Sequence, residues 1–484
     1  MRSKLFLGLL IGSMLSAASA QAGAILLAQG VLSGSSAGPN ADLSGLTGTL
    51  ENGVAANFLG GIGSGLAYAG GTTFVAVPDR GPNAVAYNAA VDNTVSYISR
   101  VQTVDMALTP NATPGALPFT LTPTLTGTTL LYSPTPLTYG SGAGVGLGSG
   151  APAQNTASAY YFTGRSDNYG AGDSGVATDA RFDPESIRVS NDGKSVFISD
   201  EYGPYVRQFD RSTGALIKTY ALPSNLNVTN LSPVGQTEID NNTVGRVANK
   251  GMEGLALTPD GKTLVGIMQA QLEQDTGQNV LRIVTIDVAT GATHEYGYAL
   301  SAGSGVSDIV ALNDHQFLVD ERDGKGLGDG SKAKVKQIFE IDISGATDIT
   351  NLSGAAAAAH VVSKNPAPFL DLVAALTAQG ITTDQIPAKI EGIAFGQDVS
   401  YGDQTYHTLF IANDNDFLPA TSGPNQFFVF GFQDGDLPGF TAQQFAAAVP
   451  EPNTWAMMIL GVGGVGGMLR LRRRAGPRSA ALAV

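Results

Sequence analysis

The fold of this chain is indicated by the stretch Met252-Glu-Gly-Leu-Ala-Leu-Thr-Pro-Asp-Gly-Lys-Thr-Leu-Val-Gly-Ile-Met268. It holds a glutamate, a short apolar run, the turn sequence Pro-Asp-Gly-Lys and a second apolar run. Two apolar runs on either side of an Asp-Gly turn predict an antiparallel β-hairpin. The pattern returns at 185–201 and 391–416, and without the opening glutamate at 64–80 and 307–323.

Hairpins repeated at irregular intervals, with further β-forming runs between them, predict an all-β fold of the β-propeller type. Five copies of the hairpin are visible, and residues 100–160 have room for another, so we expect five to seven blades and favour six. A β-sandwich also has short strands but does not repeat an acid at the start of a strand. Only residues 368–379 have apolar spacing typical of a helix, which predicts one short inserted helix.

The composition excludes several kinds of site. The chain has 484 residues, no cysteine and a formal net charge of −14. Disulfides, thiolate zinc sites and cysteine nucleophiles are therefore excluded, and the negative charge argues against a nucleic-acid partner. The 4 histidines stand at unrelated positions, which disfavours a histidine-rich zinc site.

The N-terminus has the pattern of an export signal. Arg2 and Lys4 precede an apolar run, and small residues follow it up to residue 22. We interpret residues 1–22 as a signal peptide and residues 23–448 as the propeller domain.

The C-terminus has a second targeting pattern. The sequence Pro450-Glu-Pro452 precedes an apolar stretch at 455–471, and an arginine cluster closes it by residue 474. The stretch is barely long enough to span a bilayer, and positive charges of this kind stay cytoplasmic, so a plain membrane anchor is one interpretation. Residues 449–474 closely resemble the PEP-CTERM sorting signal. That resemblance implies recognition by an exosortase-type processing enzyme, transient inner-membrane anchoring, delivery to the cell surface or exterior, and a cytoplasmic tail at 475–484.

The repeated acids are expected to meet at one end of the propeller. In an antiparallel hairpin, the start of the first strand lies beside the end of the second. If each first strand is the innermost of its blade, these acids surround one mouth of the central channel, and Asp308 is expected there too. The candidate catalytic acids that open a strand are Glu185, Glu253 and Glu391. The candidate metal ligands near strand ends are Asp79, Asp200, Glu201, Asp320, Asp414 and Asp416. The candidate substrate-binding cations are Arg80, Arg322, Lys250 and Lys389.

Carboxylates crowded together repel one another, and a hard cation with many oxygen ligands relieves that repulsion. We therefore expect Ca²⁺ at the mouth, with an oxyanion such as phosphate between the cation and the basic side chains. Glu253 differs from the other acids because its partner strand ends in Gln269 and Gln271 rather than in Asp or Glu, so we expect it to be the freest to act as a base. A purely structural role, in which strand-end acids bind backbone N–H groups or arginines, is the alternative.

Several motifs resemble the phytase-like family, which is described as having esterase-like activity of phytase. They include Ser199-Asp-Glu-Tyr-Gly-Pro204, Gly251-Met-Glu-Gly254 and Glu391-Gly-Ile-Ala394, and the resemblance runs from about residue 58 to residue 432. It implies a propeller and the hydrolysis of phosphate esters or other esters. The resulting hypothesis is an exported hydrolase with a small ester or phosphoester substrate. One alternative is a non-catalytic surface propeller that binds extracellular polysaccharide or protein, and a second is a lactonase-type propeller.

Overall fold

The computed structural model describes residues 23–33, 42–82, 94–140, 148–166, 168–169, 176–203, 205–230, 232 and 235–445. The predicted signal peptide (1–22), sorting segment (449–474) and tail (475–484) lie outside these residues. Within the described ranges, no helix has the length and apolar character needed to cross a membrane.

Five antiparallel sheets contain the strands of the repeated hairpins, and we number them as blades, with strands given from the inside outward. Blade 1 consists of Gly65–Tyr68, Thr73–Val77, Arg100–Pro110 and Phe119–Leu130. Blade 2 consists of Pro184–Val189, Ser195–Asp200, Tyr205–Asp210 and Leu216–Ala221. Blade 3 consists of Met252–Leu257, Thr263–Met268, Leu281–Asp287 and Thr293–Tyr298. Blade 4 consists of Gly305–Ala311, Gln316–Arg322, Lys336–Asp342 and the two short strands Ser363–Lys364 and Leu370–Asp371. Blade 5 consists of Ile390–Phe395, Gln404–Asn413, Asn425–Phe432 and Ile25–Leu32, with Val399–Tyr401 paired to its second strand.

Few elements lie outside the blades in the part of the chain that is described. Tyr132–Ser133 and Tyr160–Tyr161 form a separate two-stranded sheet. The helices are Gly235–Asn241, Gly354–Ala358, Leu372–Ala378 and Pro419–Ser422, with short 3-10 turns at Ser224–Leu226 and Glu273–Asp275.

The five blades form a closed ring. Their innermost strands contact one another in chain order, and the innermost strand of blade 5 contacts that of blade 1. The N-terminal strand Ile25–Leu32 pairs with Asn425–Phe432 as the outer strand of blade 5, so both ends of the domain are held in one sheet. The predicted all-β propeller is confirmed with five blades, the lower end of the expected range. The sixth unit favoured for residues 100–160 does not form, because the described part of this region supplies the long outer strands of blade 1 and the separate small sheet.

The predicted helix near 368–379 is present as Leu372–Ala378. Asp371 caps its N-terminus by accepting a hydrogen bond from the backbone N–H of Ala374 at 2.9 Å. The helix begins later than expected because Leu370 and Asp371 pair with blade 4 as a short strand.

A buried ion pair fills the channel and joins all five blades. Arg188 Nη2 of blade 2 lies 2.9 Å from Asp308 Oδ2 of blade 4, and Arg188 also donates to the Leu66 carbonyl of blade 1 at 2.7 Å. Asp308 in turn accepts backbone N–H groups of Leu255 in blade 3 and Ile393 in blade 5. The expectation that Asp308 lies at the mouth is therefore wrong.

The error in placing Asp308 is a shift of one residue along the strand. Ser307 corresponds to the mouth glutamates, and Asp308 corresponds to Gly254 and Gly392, which follow them. A Cβ atom on Gly254 would lie 2.9 Å from the Asp308 Cα atom, and one on Gly392 would lie 2.9 Å from the Gly63 carbonyl. The inner strands thus leave room for only one large side chain at this level of the channel, and Asp308 takes it.

The opposite end of the channel is covered by the segment that follows blade 5. The backbone N–H of Thr441 donates to the Leu312 carbonyl, and Gln443 Nε2 donates to the Val189 carbonyl and to Asn191 Oδ1. These contacts reach blades 2 and 4. With the channel plugged by Arg188 and Asp308 and covered at its base, the mouth is the end at which a ligand can approach.

Candidate functional site

The mouth contains a cavity of about 350 Å³ whose lining is mostly charged. Glu185, Glu253 and Glu391 open the innermost strands of blades 2, 3 and 5, as the hairpin geometry predicts. The predicted site residues that line the cavity are Asp79, Arg80, Glu185, Glu201, Lys250, Glu253, Arg322, Lys389, Glu391, Asp414 and Asp416.

Two predicted metal ligands, Asp200 and Asp320, lie behind this lining. Asp200 Oδ2 accepts from the Arg207 guanidinium, and its Oδ1 accepts from the backbone N–H groups of Asp183 and Tyr202. Neighbouring residues of a strand face opposite sides, so Asp200 points away from the cavity that Glu201 lines. Burial raises the pKa of Asp320 to about 8, although Arg322 acts in the opposite direction. We therefore leave both residues out of the proposed set of ligands.

A cluster in blade 2 consists of Asp183, Glu185 and Glu201, whose carboxylate oxygens lie within 4.8 Å of one another. Arg80 Nη1 lies 2.5 Å from Asp183 Oδ2 and 3.3 Å from Glu201 Oε2. Glu185 accepts no hydrogen bond from any residue that the structure describes. The predicted set does not include Asp183, although its position two residues before Glu185 is a signal for the same face of an extended chain.

A second cluster, Asp79, Asp414 and Asp416, has the same spacing, within 4.8 Å. Lys389 Nζ occupies it, bound to Asp414, 2.8 Å from Asp416 Oδ1 and 3.6 Å from Glu391 Oε1. This lysine already supplies a positive charge to the second cluster. Arg80 does the same for two acids of the first cluster. The clusters differ because no described group donates to the Glu185 carboxylate, whereas Asp79 Oδ1 accepts from the backbone N–H of Gly81.

Arg322 lies between the two remaining glutamates. Its Nη2 atom is 2.5 Å from Glu391 Oε1 and 3.7 Å from Glu253 Oε1, and its Nε donates to Ser307 Oγ at 2.6 Å. Glu253 Oε1 accepts from Gln269 Nε2 at 2.6 Å, so the glutamine that set Glu253 apart in the sequence is its nearest donor. The Oε2 atoms of Glu253 and Glu391 are buried, and neither has a hydrogen-bond partner among the described residues.

The mouth contains more carboxylates than basic side chains, and this excess affects the pKa values of the acids. Burial, with repulsion from Glu253, raises the pKa of Glu185 well above its usual range. Burial, with repulsion from Glu201 and Glu391, does the same for the pKa of Glu253. Burial raises the pKa of Asp79 to about 7 against the opposing effect of Lys389 and Arg80. Such a mouth takes up a cation, protons or neutral hydrogen-bond donors.

Fold and site together define a five-bladed propeller with an acid-rich mouth that also holds arginine and lysine side chains. Residues 57–417 match the family model named phytase-like and described as esterase-like activity of phytase. The chain belongs to the phytase-like family. Residues 448–474 match the PEP-CTERM protein-sorting motif, which confirms that part of the sequence interpretation.

The individual proteins that resemble this chain add little information about its activity. An uncharacterized secreted protein of Arthroderma benhamiae is 32% identical over 140 residues, which cover 25% of this chain and 27% of that relative. A hydrazine synthase structure from Kuenenia stuttgartiensis has 15% identity and a TM-score of 0.31, covering 75% of this chain and 79% of its own. XC5397 of Xanthomonas campestris, described as a gluconolactonase, has 13% identity and a TM-score of 0.29. The match covers 84% of this chain and 97% of that structure. At such TM-scores the likeness bears on neither fold nor activity.

Proposed function

We propose that the chain is an exported hydrolase of phosphate esters that works at the propeller mouth with a bound Ca²⁺ ion. The observation that carries this proposal is the combination, in one cavity, of buried carboxylate oxygens without hydrogen-bond partners among the described residues and of guanidinium groups fixed by carboxylates. Family membership supports ester hydrolysis as the reaction class. The sorting motif supports delivery to the cell surface or exterior.

The acids of the first cluster fit a calcium ion. Asp183, Glu185 and Glu201 offer oxygen atoms within 4.8 Å of one another, and hard cations such as Ca²⁺ take oxygen ligands with tolerant geometry. The lack of a donor to Glu185 favours this cluster over the one that Lys389 occupies. A bound Ca²⁺ would supply Lewis-acid polarisation of a phosphoryl oxygen and neutralise developing charge.

The arginines are suited to hold the oxygens of the substrate. Arg80 and Arg322 are each fixed through one guanidinium nitrogen to a carboxylate, at 2.5 Å in both cases. In the described part of the chain, Arg80 Nη2 and Arg322 Nη1 have no acceptor. Fixed guanidinium groups with free N–H donors bind phosphate oxygens with defined geometry. Lys250 lines the same cavity and adds a further positive charge.

Glu253 is the residue that we assign to proton transfer. It is 3% exposed, a neutral amide holds its Oε1 atom, and its Oε2 atom has no partner among the described residues. A carboxylate with a raised pKa is a better general base than an ordinary one and can return the proton to the leaving oxygen. In this assignment Glu253 Oε2 removes a proton from the attacking water, and Glu391 binds substrate beside it.

The test is hydrolysis by the purified mature domain after EDTA treatment and Ca²⁺ restoration. We expect phosphate release from simple phosphate monoesters with Ca²⁺ and its loss without Ca²⁺. Glu253→Gln should abolish turnover while the protein stays folded by circular dichroism. Equal and negligible turnover on phosphate and carboxylate esters in both conditions would reject the hydrolase and leave a binding propeller. Cleavage of lactones alone would favour the lactonase alternative.

A further inference from the structure

The lining of the mouth contains more carboxylates than cations, and most of its cations are already paired with a carboxylate. Each cation that the structure places deep in the mouth already serves a carboxylate: Arg80 serves Asp183, Arg322 serves Glu391, and Lys389 serves Asp414 and Asp416. Among the described lining residues, Lys250 is the cation without an ion pair, and it is half-buried. A ligand with many negative charges therefore meets few free positive groups.

Two buried oxygen atoms of the lining have no hydrogen-bond donor among the described residues. Glu391 and Glu253 are each 3% exposed, and each has a buried Oε2 atom with no partner among the described residues. A buried acceptor left unpaired is unfavourable, and a hydroxyl group satisfies it without adding negative charge. If Glu253 Oε2 binds the attacking water, Glu391 Oε2 is the acceptor that remains for a substrate hydroxyl.

The volume of the cavity also favours a small ligand with few charges. A volume of about 350 Å³ stands at the small end of ligand pockets, which run from about 300 to about 1,000 Å³. Apolar surface from Leu327 and Ala388 borders the charged groups, as a sugar ring or polyol chain requires for its C–H faces.

We propose that the mouth takes a hydroxyl-rich ester with one anionic group, such as a sugar or polyol monophosphate, rather than a polyphosphorylated substrate. This inference rests on the proposed hydrolase function and narrows its substrate. Arg80 and Arg322 bind the single phosphate, whose charge a bound cation would further neutralise, and a hydroxyl of the alcohol part donates to Glu391 Oε2. Water attacks phosphorus as Glu253 takes its proton, the P–O bond to the alcohol breaks, and Glu253 returns the proton to the alcohol oxygen. The products are the free sugar or polyol and phosphate.

The first experiment compares three substrates at one buffered concentration of free Ca²⁺. Glucose 6-phosphate has one phosphate and several hydroxyls. Cyclohexylmethyl phosphate keeps the primary phosphate ester and lacks the hydroxyls. Phytate has six phosphates. We expect kcat/KM for glucose 6-phosphate to exceed the values for the other two substrates by about tenfold or more. A site that binds a substrate hydroxyl discriminates at least this strongly against an analogue that leaves its acceptor unpaired. A tenfold preference for phytate, or equal values for all three, overturns the proposal.

Two variants test which residue is responsible for the preference between the substrates. Glu391→Gln places an amide in the ring of acids, and we expect it to reduce the preference for glucose 6-phosphate over cyclohexylmethyl phosphate to about one-tenth of the wild-type ratio or less. The matched control is Asp329→Asn, because Asp329 lines the same cavity but already accepts from the backbone N–H groups of Gly326 and Ser331. It should keep the wild-type ratio. A ratio that Glu391→Gln leaves unchanged contradicts the assignment of the hydroxyl acceptor.

Failure of the proposed function is distinguishable from failure of this inference. If none of the three esters is cleaved, the hydrolase proposal fails, and calorimetry with the same ligands and Ca²⁺ then decides the inference. Tighter binding of glucose 6-phosphate than of phytate supports it. Tighter binding of phytate, or no binding of glucose 6-phosphate, overturns it.

Discussion

The mouth and the middle of the channel use neighbouring positions on the same inner strands, yet they treat buried charge in opposite ways. In the middle, both carboxylate oxygens of Asp308 accept hydrogen bonds, Oδ2 from Arg188 and from the backbone N–H of Ile393, and Oδ1 from the backbone N–H of Leu255. At the mouth, one residue earlier on the strands, Glu253 and Glu391 keep unpartnered oxygens. A buried polar group that is fully paired holds a fold together, whereas one left unpaired at a cavity is a candidate for binding and chemistry.

The largest expected effect is on folding, from Asp308→Ala. Removal of this carboxylate leaves the buried Arg188 charge and backbone N–H groups in blades 3 and 5 without their acceptor. We expect the free energy of unfolding to fall by about 3–5 kcal/mol, as for other buried pairs that lose one partner. Denaturant unfolding measures the change.

A matched control for this variant is Asp403→Ala, at an exposed hairpin position. Its free energy of unfolding should stay within about 0.5 kcal/mol of the wild type. The double variant of Asp308 and Arg188 to alanine should lose less than the two single losses combined, because the partners interact directly. A loss below about 1 kcal/mol for Asp308→Ala would show that the pair does not hold the blades together.

The next effect is on activity, from Glu253→Gln. The substitution removes the proton-transfer group and keeps its shape, so we expect turnover to fall by about 10²–10⁴-fold. It also removes repulsion with Glu201 and Glu391, so the melting temperature should not fall. Steady-state rates and thermal unfolding of the same preparation test both statements. Full turnover in this variant would remove Glu253 from the mechanism.

The sequence predicts the inner half of each blade better than the outer half. Paired apolar runs mark the five inner hairpins, three of them with an opening glutamate, and the structure places all five next to the channel. The outer strands have no such marker. Arg100–Pro110 and Phe119–Leu130 lie far from their hairpin in the sequence, and their length and threonine content resemble a further repeat. Which sheet an outer strand joins depends on packing between distant segments, so the number of blades did not follow from the repeats alone.

The site was predicted where an acid begins an inner strand and was mispredicted one residue away from that position. Glu185, Glu253 and Glu391 begin inner strands and reach the mouth as expected. Their strands carry register shifts at this level, as does the strand of Asp308, so irregularity does not separate the correct predictions from the wrong one. Asp308 was aligned with the glutamates, whereas Ser307 is their counterpart, and an offset of one residue turns a side chain to the other face of a strand. Asp183 was omitted because it precedes the acid that was taken to open the strand, although it lies two residues before Glu185.

A smaller effect concerns Ca²⁺ and stability. A ligand that binds only the folded state stabilises it by about 2.7 kcal/mol at a hundred times its dissociation constant. We expect the melting temperature to rise with Ca²⁺ in the wild type. Glu185→Gln should weaken this response because it changes the cluster with Asp183 and Glu201. Asp403→Asn serves as the control and should respond as the wild type does. A rise that is identical in Glu185→Gln would place the ion elsewhere.

The last effect is the dependence of stability on pH when Ca²⁺ is removed. Burial raises the pKa of Asp79 from 3.8 to about 7 in the folded protein. Between these values the folded state holds a proton that the unfolded state has released, so this contribution to stability is complete below about pH 3.8 and is lost as the pH rises through about 7. Asp79→Asn removes that contribution, and in EDTA its free energy of unfolding should fall less steeply from pH 4 to pH 8 than that of the wild type. The exposed variant Asp403→Asn should follow the wild-type curve. Parallel curves for Asp79→Asn and the wild type would mean that Asp79 is already ionised in the folded mouth, so that the neighbouring cations outweigh its burial.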